Sequence, residues 1–229
     1  MVSKAQASSR IERLKWASIA FVSVLGLAIV GYGVYYATAK RSADAYVEGS
    51  DYTLLDDAQP KGAPDPVVVR EYFSYYCIHC RNFDPIVQKW LAAPHDGVRF
   101  ERSPVLFSPL WSTMAQAYYA LASVGALDEN HDRIFRAIHD GQQQFPTPEA
   151  IADFVDGHGV TREAFLAAYR SPEALKSANE ANARARAARI NGVPSLTVGD
   201  RYAVNMDNVP RAQAFAVVDF LVAKVRAEH

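Results

Sequence analysis

The stretch Glu71-Tyr72-Phe73-Ser74-Tyr75-Tyr76-Cys77-Ile78-His79-Cys80 decides the reading of this 229-residue chain: it holds the only two cysteines, set three positions apart. Val67-Val68-Val69-Arg70-Glu71-Tyr72-Phe73 is β-branched and aromatic, the composition of a strand. Downstream, apolar residues fall at Phe83, Ile86, Val87, Trp90 and Leu91, the i, i+3, i+4, i+7, i+8 spacing of an amphipathic helix. Cys77 therefore sits on a strand-to-helix turn, near a helix N-terminus. Unpaired N–H groups and the helix dipole favour an anion there, and a thiolate is an anion. The placement lowers the thiol pKa and makes Cys77 a nucleophile. Cys80 lies about one turn further in, less exposed, with its sulfur able to face that of Cys77. Pro85, past the first turn, predicts a kink.

Two other readings of the pair are weaker. A structural zinc site needs four ligands, and no further cysteine exists. His95, His131, His139, His158 and His229 are scattered without ligand spacing, so no metal is expected. A purely structural bridge across so short a loop restricts the unfolded chain little. Redox chemistry is the remaining use of a C-x-x-C beside a strand and a helix. It needs no cofactor, since the sulfurs themselves carry the electrons.

The formal net charge of −1 shows no basic surplus, so nothing points to nucleic acid. The charge is unevenly spread. Lys4, Arg10, Arg13 and Lys15 stand against Glu12 alone in residues 1–39, leaving 20 basic and 24 acidic residues beyond. Trp16 to Ala39 is 24 residues without a charge, and about 20 apolar residues suffice to span a bilayer as a helix. Trp16 at one end and Tyr32, Tyr35 and Tyr36 at the other suit the two interfaces. The positive-inside rule places residues 1–15 in the cytoplasm, 16–39 as a transmembrane anchor, and the bulk outside. A cleaved leader is the alternative, with Ala37-Thr38-Ala39 and Ala43-Asp44-Ala45 as cleavage signals. The span exceeds the about 7–15 residues of a leader's apolar core, which favours the anchor. Either way the bulk faces an oxidising space, where disulfides persist.

Residues 40–65 read as a linker carrying one short strand near Tyr52-Thr53-Leu54-Leu55. Residues 66–107 complete a β-α-β unit, with Gly97-Val98-Arg99-Phe100-Glu101-Arg102 as turn and strand. From 108 to 189 helix signals recur. Ser108-Pro109, Thr147-Pro148 and Ser171-Pro172 pair an N-cap hydroxyl with proline at the first helical position, and Thr161 caps a further helix. Gly125, Gly141 and Gly157 are read as stops. The expected helices are 109–124, 128–140, 148–156, 162–170 and 172–189. Residues 190–229 return to a hairpin, Ser195-Leu196-Thr197-Val198 and Arg201-Tyr202-Ala203-Val204 about Gly199-Asp200, and a closing helix from Val209 to Arg226.

The order β-α-β, helical block, β-β-α is the thioredoxin fold with an inserted all-helical subdomain, an α/β class, here behind an N-terminal transmembrane helix. Over about residues 46–229 it resembles the DsbA family of exported thiol oxidants. The motif Glu71 to Cys80, the helical insertion and Gly192-Val193-Pro194-Ser195-Leu196-Thr197-Val198 carry the resemblance, in that order.

That resemblance implies roles. Cys77 attacks, Cys80 resolves mixed disulfides, and His79 stabilises the Cys77 thiolate. Ile78, where relatives have proline, alters the tuning of the reduction potential. Pro194 is expected to be cis and to face the dithiol, with the Val193 backbone offered to an extended substrate. Glu71 is expected beneath the disulfide, helping to move protons, with Arg102 as its partner where relatives often carry lysine. The implied activity is donation of the Cys77–Cys80 disulfide to reduced, unfolded exported proteins. A DsbB-like membrane quinone oxidoreductase would reoxidise the pair. The implied location is the bacterial inner membrane with a periplasmic catalytic domain, or the periplasm after leader cleavage. A reductase or isomerase of the same fold is an alternative, though an isomerase of this fold needs a dimerisation domain larger than 40–65. A non-redox holdase is another, disfavoured by the intact cysteine pair.

Overall fold

The computed structural model describes residues 16–18, 21–31, 46–55 and 65–228. Strand β2 (Val67–Phe73) is buried along its whole length, as a strand covered on both faces must be. It pairs in parallel with β3 (Val98–Pro104) and antiparallel with β4 (Ser195–Val198). Beyond β4 come β5 (Tyr202–Val204) and then β1 (Tyr52–Leu54), each antiparallel to its neighbour, in the order β1-β5-β4-β2-β3. The β2–β3 register sets Glu71 directly opposite Arg102. Directly opposed residues point to one face, so the register alone brings this acid and base together.

Helix α1 (Ile78–Leu91) connects β2 to β3 and runs unbroken through Pro85. Five helices separate β3 from β4: α2 (Pro109–Ser123), α3 (Leu127–His139), α4 (Pro148–Val155), α5 (Arg162–Tyr169) and α6 (Pro172–Ala187). Ser108, Thr147, Thr161 and Ser171 each accept a hydrogen bond from the backbone N–H three residues on, the N-cap geometry their position suggests. Gly125 and Gly157 take positive φ at helix ends. Gly141 does not: Gln142 carries the left-handed turn at φ 52°. Gly141 is needed for closeness instead, since a Cβ there would lie 2.9 Å from the Ala137 carbonyl oxygen. The closing helix α7 (Ala214–Ala227) starts later than expected, because a 3₁₀ turn, Arg211–Gln213, follows Pro210.

Among the described residues two large buried clusters meet at α1, and a smaller one at Tyr72, Val105 and Ala185 covers the other face of β2. One large cluster joins Phe83 and Val87 of α1 to Val69, Leu196, Val198 and the inner side of α7, including Val218 and Leu221. The other large cluster gathers Phe73, Tyr75 and Cys80 with Met114, Leu121, Ile134, Phe135 and Phe165 of the helical block. α1 thus presents Cys80 to one core and Phe83 to the other. At about 25 cal/mol per Å² of apolar surface removed from water, these cores dominate what stabilises the fold.

The N-terminal segment forms a unit separate from Tyr46–His229. Of the expected anchor, 16–18 and 21–31 are helical, with Trp16, Phe21, Leu27 and Ile29 exposed. Among the described residues no helix is long and apolar enough to cross a membrane. The expected cytoplasmic segment 1–15, residues 19–20 and 32–39 of the anchor, both leader-cleavage signals and residues 56–64 of the linker lie outside the described residues.

Candidate active site at the Cys77–Cys80 turn

Cys77 is the N-cap residue of α1, extended at φ −95° and ψ 113°, with no side-chain capping bond of its own. Its carbonyl accepts from the N–H groups of Cys80 at 3.0 Å and Arg81 at 3.0 Å, so the helix begins immediately behind the sulfur. No acidic residue occupies the first turn to oppose an anion. Both cysteines are free thiols: Cys77 is partly exposed and Cys80 is fully buried.

The two sulfurs are unequal because their surroundings are. A hydrogen bond from the Cys80 thiol is the largest influence on Cys77, whose pKa falls from 9.0 to about 6. Partial burial works against that fall, while the N–H groups of Cys80 and His79 and the charge of His79 support it. Burial first, and then the bond given to Cys77, pushes the Cys80 thiol far up. The Cys77 sulfur also lies 3.4 Å from the Val193 carbonyl oxygen. That oxygen accepts from the protonated thiol only, so it favours the thiol while the helix end and Cys80 favour the thiolate.

His79 is exposed on the first turn, and its larger influence on Cys77 is through its backbone N–H rather than its ring. Ile78 is 48% exposed beside the dithiol. The Val193–Pro194 peptide is cis. Both residues line a cavity of about 690 Å³ together with His79, Leu54, Ile190 and Met206. Of the turn that carries the dithiol, His79 is the residue that lines the cavity.

Beneath Cys80 lies a chain of buried polar groups. Glu71 is 2% exposed, and burial, opposed by Arg102 and reinforced by Asp84, raises its pKa from 4.5 to about 7. Arg102 Nε faces Glu71 Oε2 at 3.2 Å as an ion pair without hydrogen-bond alignment. Arg102 also donates to Asp84 Oδ1 at 2.9 Å. His131 Nε2 lies 3.3 Å from the same Oδ1, and His131 Nδ1 lies 2.8 Å from the Tyr75 hydroxyl.

The turn is also tied to α3 and the loop after it. His139 Nε2 is 2.8 Å from the Tyr75 carbonyl oxygen, and the Tyr76 hydroxyl accepts from Phe145 N–H at 2.9 Å. Sequence alone leaves Asp84 unmarked, His131 and His139 as scattered histidines, and Tyr75 and Tyr76 without assigned chemistry. A signal existed for two of them. Asp84 interrupts the apolar stripe of α1 at Cys80, Asp84 and Val87, and His131 continues the stripe of Ile134, Phe135 and Ile138. A polar residue on an apolar stripe is buried with a partner or not at all.

A thioredoxin-type sheet, an activated cysteine at a helix start and a buried second cysteine behind it define a dithiol–disulfide oxidoreductase. Comparison with known proteins gives the same answer. Residues 68–215 match the profile of the DSBA-like thioredoxin domain. The chain is 33% identical over 186 residues to the thiol:disulfide interchange protein DsbA of Pseudomonas aeruginosa, covering 81% of this chain and 88% of that protein. It is 31% identical over 209 residues to the protein of the same name from Azotobacter vinelandii, covering 89% and 97%. The crystal structure of P. aeruginosa DsbA superposes with a TM-score of 0.75 at 33% identity over 81% of this chain and 97% of that one. That of the oxidoreductase DsbA from Xylella fastidiosa gives 0.73 at 34% identity over 80% and 98%. The chain belongs to the DsbA family and is a DsbA-like thiol:disulfide oxidase.

Proposed function

We propose that Cys77 is the reacting sulfur, Cys80 its resolving partner, and reduced, unfolded exported proteins the substrates. The unequal pair carries this reading: Cys77 lowered to about 6, Cys80 pushed up by burial. In the oxidised protein a substrate thiolate attacks Cys77 Sγ. The Cys77–Cys80 bond breaks, its electron pair goes to the Cys80 sulfur, and that sulfur takes a proton. A second substrate thiolate attacks the substrate sulfur of the mixed disulfide, and the bond to Cys77 breaks with its electron pair on Cys77. The substrate loses two electrons and the dithiol gains them. Stabilising the Cys77 thiolate favours the reduced product, which makes the disulfide oxidising.

His79 adds positive character beside Cys77, and Ile78 and Arg102 tune the potential. Val193 and Pro194 hold the substrate backbone. Glu71, buried under Cys80, supplies and recovers the Cys80 proton. A DsbB-like quinone-linked membrane protein reoxidises the pair. The test is stoichiometric oxidation of a reduced, unfolded protein by the oxidised chain. Cys77→Ser abolishes it on this reading, and full activity in that variant would refute the assignment.

The uncharged span and its flanking charges support an uncleaved anchor at 16–39 in a bacterial inner membrane, with the catalytic domain periplasmic. N-terminal sequencing of the membrane-associated protein is expected to begin at Met1 or Val2. A start at Lys40 or Tyr46 establishes leader cleavage and a soluble periplasmic protein instead.

A further inference from the structure

His131 is 5% exposed, lies in the helical insertion, and has no part in the sulfur exchange described above. Its two ring nitrogens are nevertheless both engaged, one by Asp84 and one by Tyr75. Burial, only partly offset by Asp84, holds its pKa below the ordinary value, so the ring is neutral at pH 7. A neutral imidazole has one N–H and one acceptor nitrogen. Burial pushes the Tyr75 phenol well up, so its hydroxyl keeps its proton. The carboxylate can only accept. The directions are then fixed: Tyr75 O–H donates to Nδ1, and Nε2–H donates to Asp84 Oδ1. Although burial works against it, Asp84 is held below the ordinary carboxylate value by His131 and Arg102. With the ring neutral, the charge among these partners comes from Arg102.

Two buried carboxylates, Glu71 and Asp84, thus share one guanidinium, Arg102. One positive charge cannot hold both as anions at equal ease. Asp84 Oδ1 faces two donors, Arg102 and His131, and the carboxylate is also supported by Gln88, whereas Glu71 Oε2 faces Arg102 Nε without hydrogen-bond alignment. We propose that His131 is a positioning residue of the reaction: its ring, oriented by Tyr75, keeps Asp84 as the ionised carboxylate and so leaves the exchangeable proton on Glu71, beneath Cys80. This rests on the proposed role of Glu71. The groups facing the cluster are Glu71 from β2, Arg102 from β3, Cys80 and Asp84 from α1, Tyr118 from α2, His131 and Asp132 from α3, and Tyr75 from the turn. The proton count closes. In the oxidised state Glu71 holds a proton, gives it to the Cys80 thiolate when the disulfide opens, and regains it when Cys80 attacks during reoxidation.

The test is a titration of the Glu71 and Asp84 side-chain carboxyls by carbon-13 NMR on the reduced full-length chain, in His131→Phe and Tyr75→Phe. In the unaltered protein Asp84 is expected to titrate well below Glu71. Losing a hydrogen bond to a charged group is expected to narrow the gap by about one pH unit in H131F. Y75F, which frees the ring to turn, is expected to narrow it by less. An unchanged gap in a folded H131F overturns the proposal, as does an unaltered protein in which Asp84 is the carboxyl that titrates near neutrality. If H131F does not fold, Y75F decides by the same criterion, an unchanged gap again overturning it. The role of Glu71 is judged separately, by the pH profile of Cys80-dependent glutathione release from a Cys77 mixed disulfide. If Glu71→Gln leaves that profile intact, the Glu71 reading fails whatever the carboxyl titrations show.

Discussion

At the scale of single residues, the site works by pairing a stabilised anion with a suppressed one. The Cys80 thiol is the largest contributor to the lowered Cys77 pKa, and the charge of His79 is among the smaller ones. Cys80→Ala is therefore expected to raise the Cys77 pKa more than His79→Ala does, read from thiolate absorbance in the ultraviolet. An equal or reversed order counts against the present assignment of causes. The pH dependence of stability follows from the same groups. The folded pKa of Cys77 is depressed from 9.0 to about 6, so its stabilisation of the reduced form is full above pH 9 and lost as pH falls through 6. Glu71 has the opposite sign. Its folded pKa is raised from 4.5 to about 7, so the folded state binds more protons between these values and loses stability as pH rises across them. Glu71→Gln is expected to stabilise the reduced protein by up to roughly 3 kcal/mol at pH 8 and by little at pH 4. Denaturant unfolding at the two pH values measures this, and a variant destabilised at both contradicts it.

At the scale of elements, β2 and α1 place the chemistry and α3 braces it. The strand, the turn and the start of α1 were legible because each has a local cause: β-branched and aromatic residues, a C-x-x-C, and apolar residues at helical spacing. Four helix starts of the insertion were legible because a capping hydroxyl, in three of them followed by a proline, acts within a single turn. Thr147→Ala removes the bond to Ala150 N–H and is expected to cost about 1 kcal/mol, measured by thermal or denaturant unfolding. No loss of stability would show that the cap contributes nothing there. The buried network was not legible, because its parts come from β2, β3, α1 and α3 and meet only when the insertion folds onto the turn. Glu71 and Arg102 were paired through family resemblance. The physical reason, their direct opposition in a parallel register, appears only in the sheet. His131 looked like a stray histidine because nothing local marks its partners, Asp84 and Tyr75, which lie 47 and 56 residues away in sequence.

At the scale of the whole molecule, the catalytic turn lies between two cores and belongs to both. Phe83 faces the sheet and α7, while Cys80 faces the helical insertion. Phe83 is fully buried, and Phe83→Ala is expected to cost about 3–5 kcal/mol, with the dithiol geometry loosened as the helix shifts. The central claim is that this arrangement stabilises the reduced pair and so makes the Cys77–Cys80 disulfide an oxidant. The most direct measurement is the equilibrium of that disulfide with a glutathione redox buffer at pH 7. A potential well above the about −270 mV of thioredoxin, toward the about −120 mV of DsbA, is the predicted result. A value at or below that of thioredoxin would contradict it.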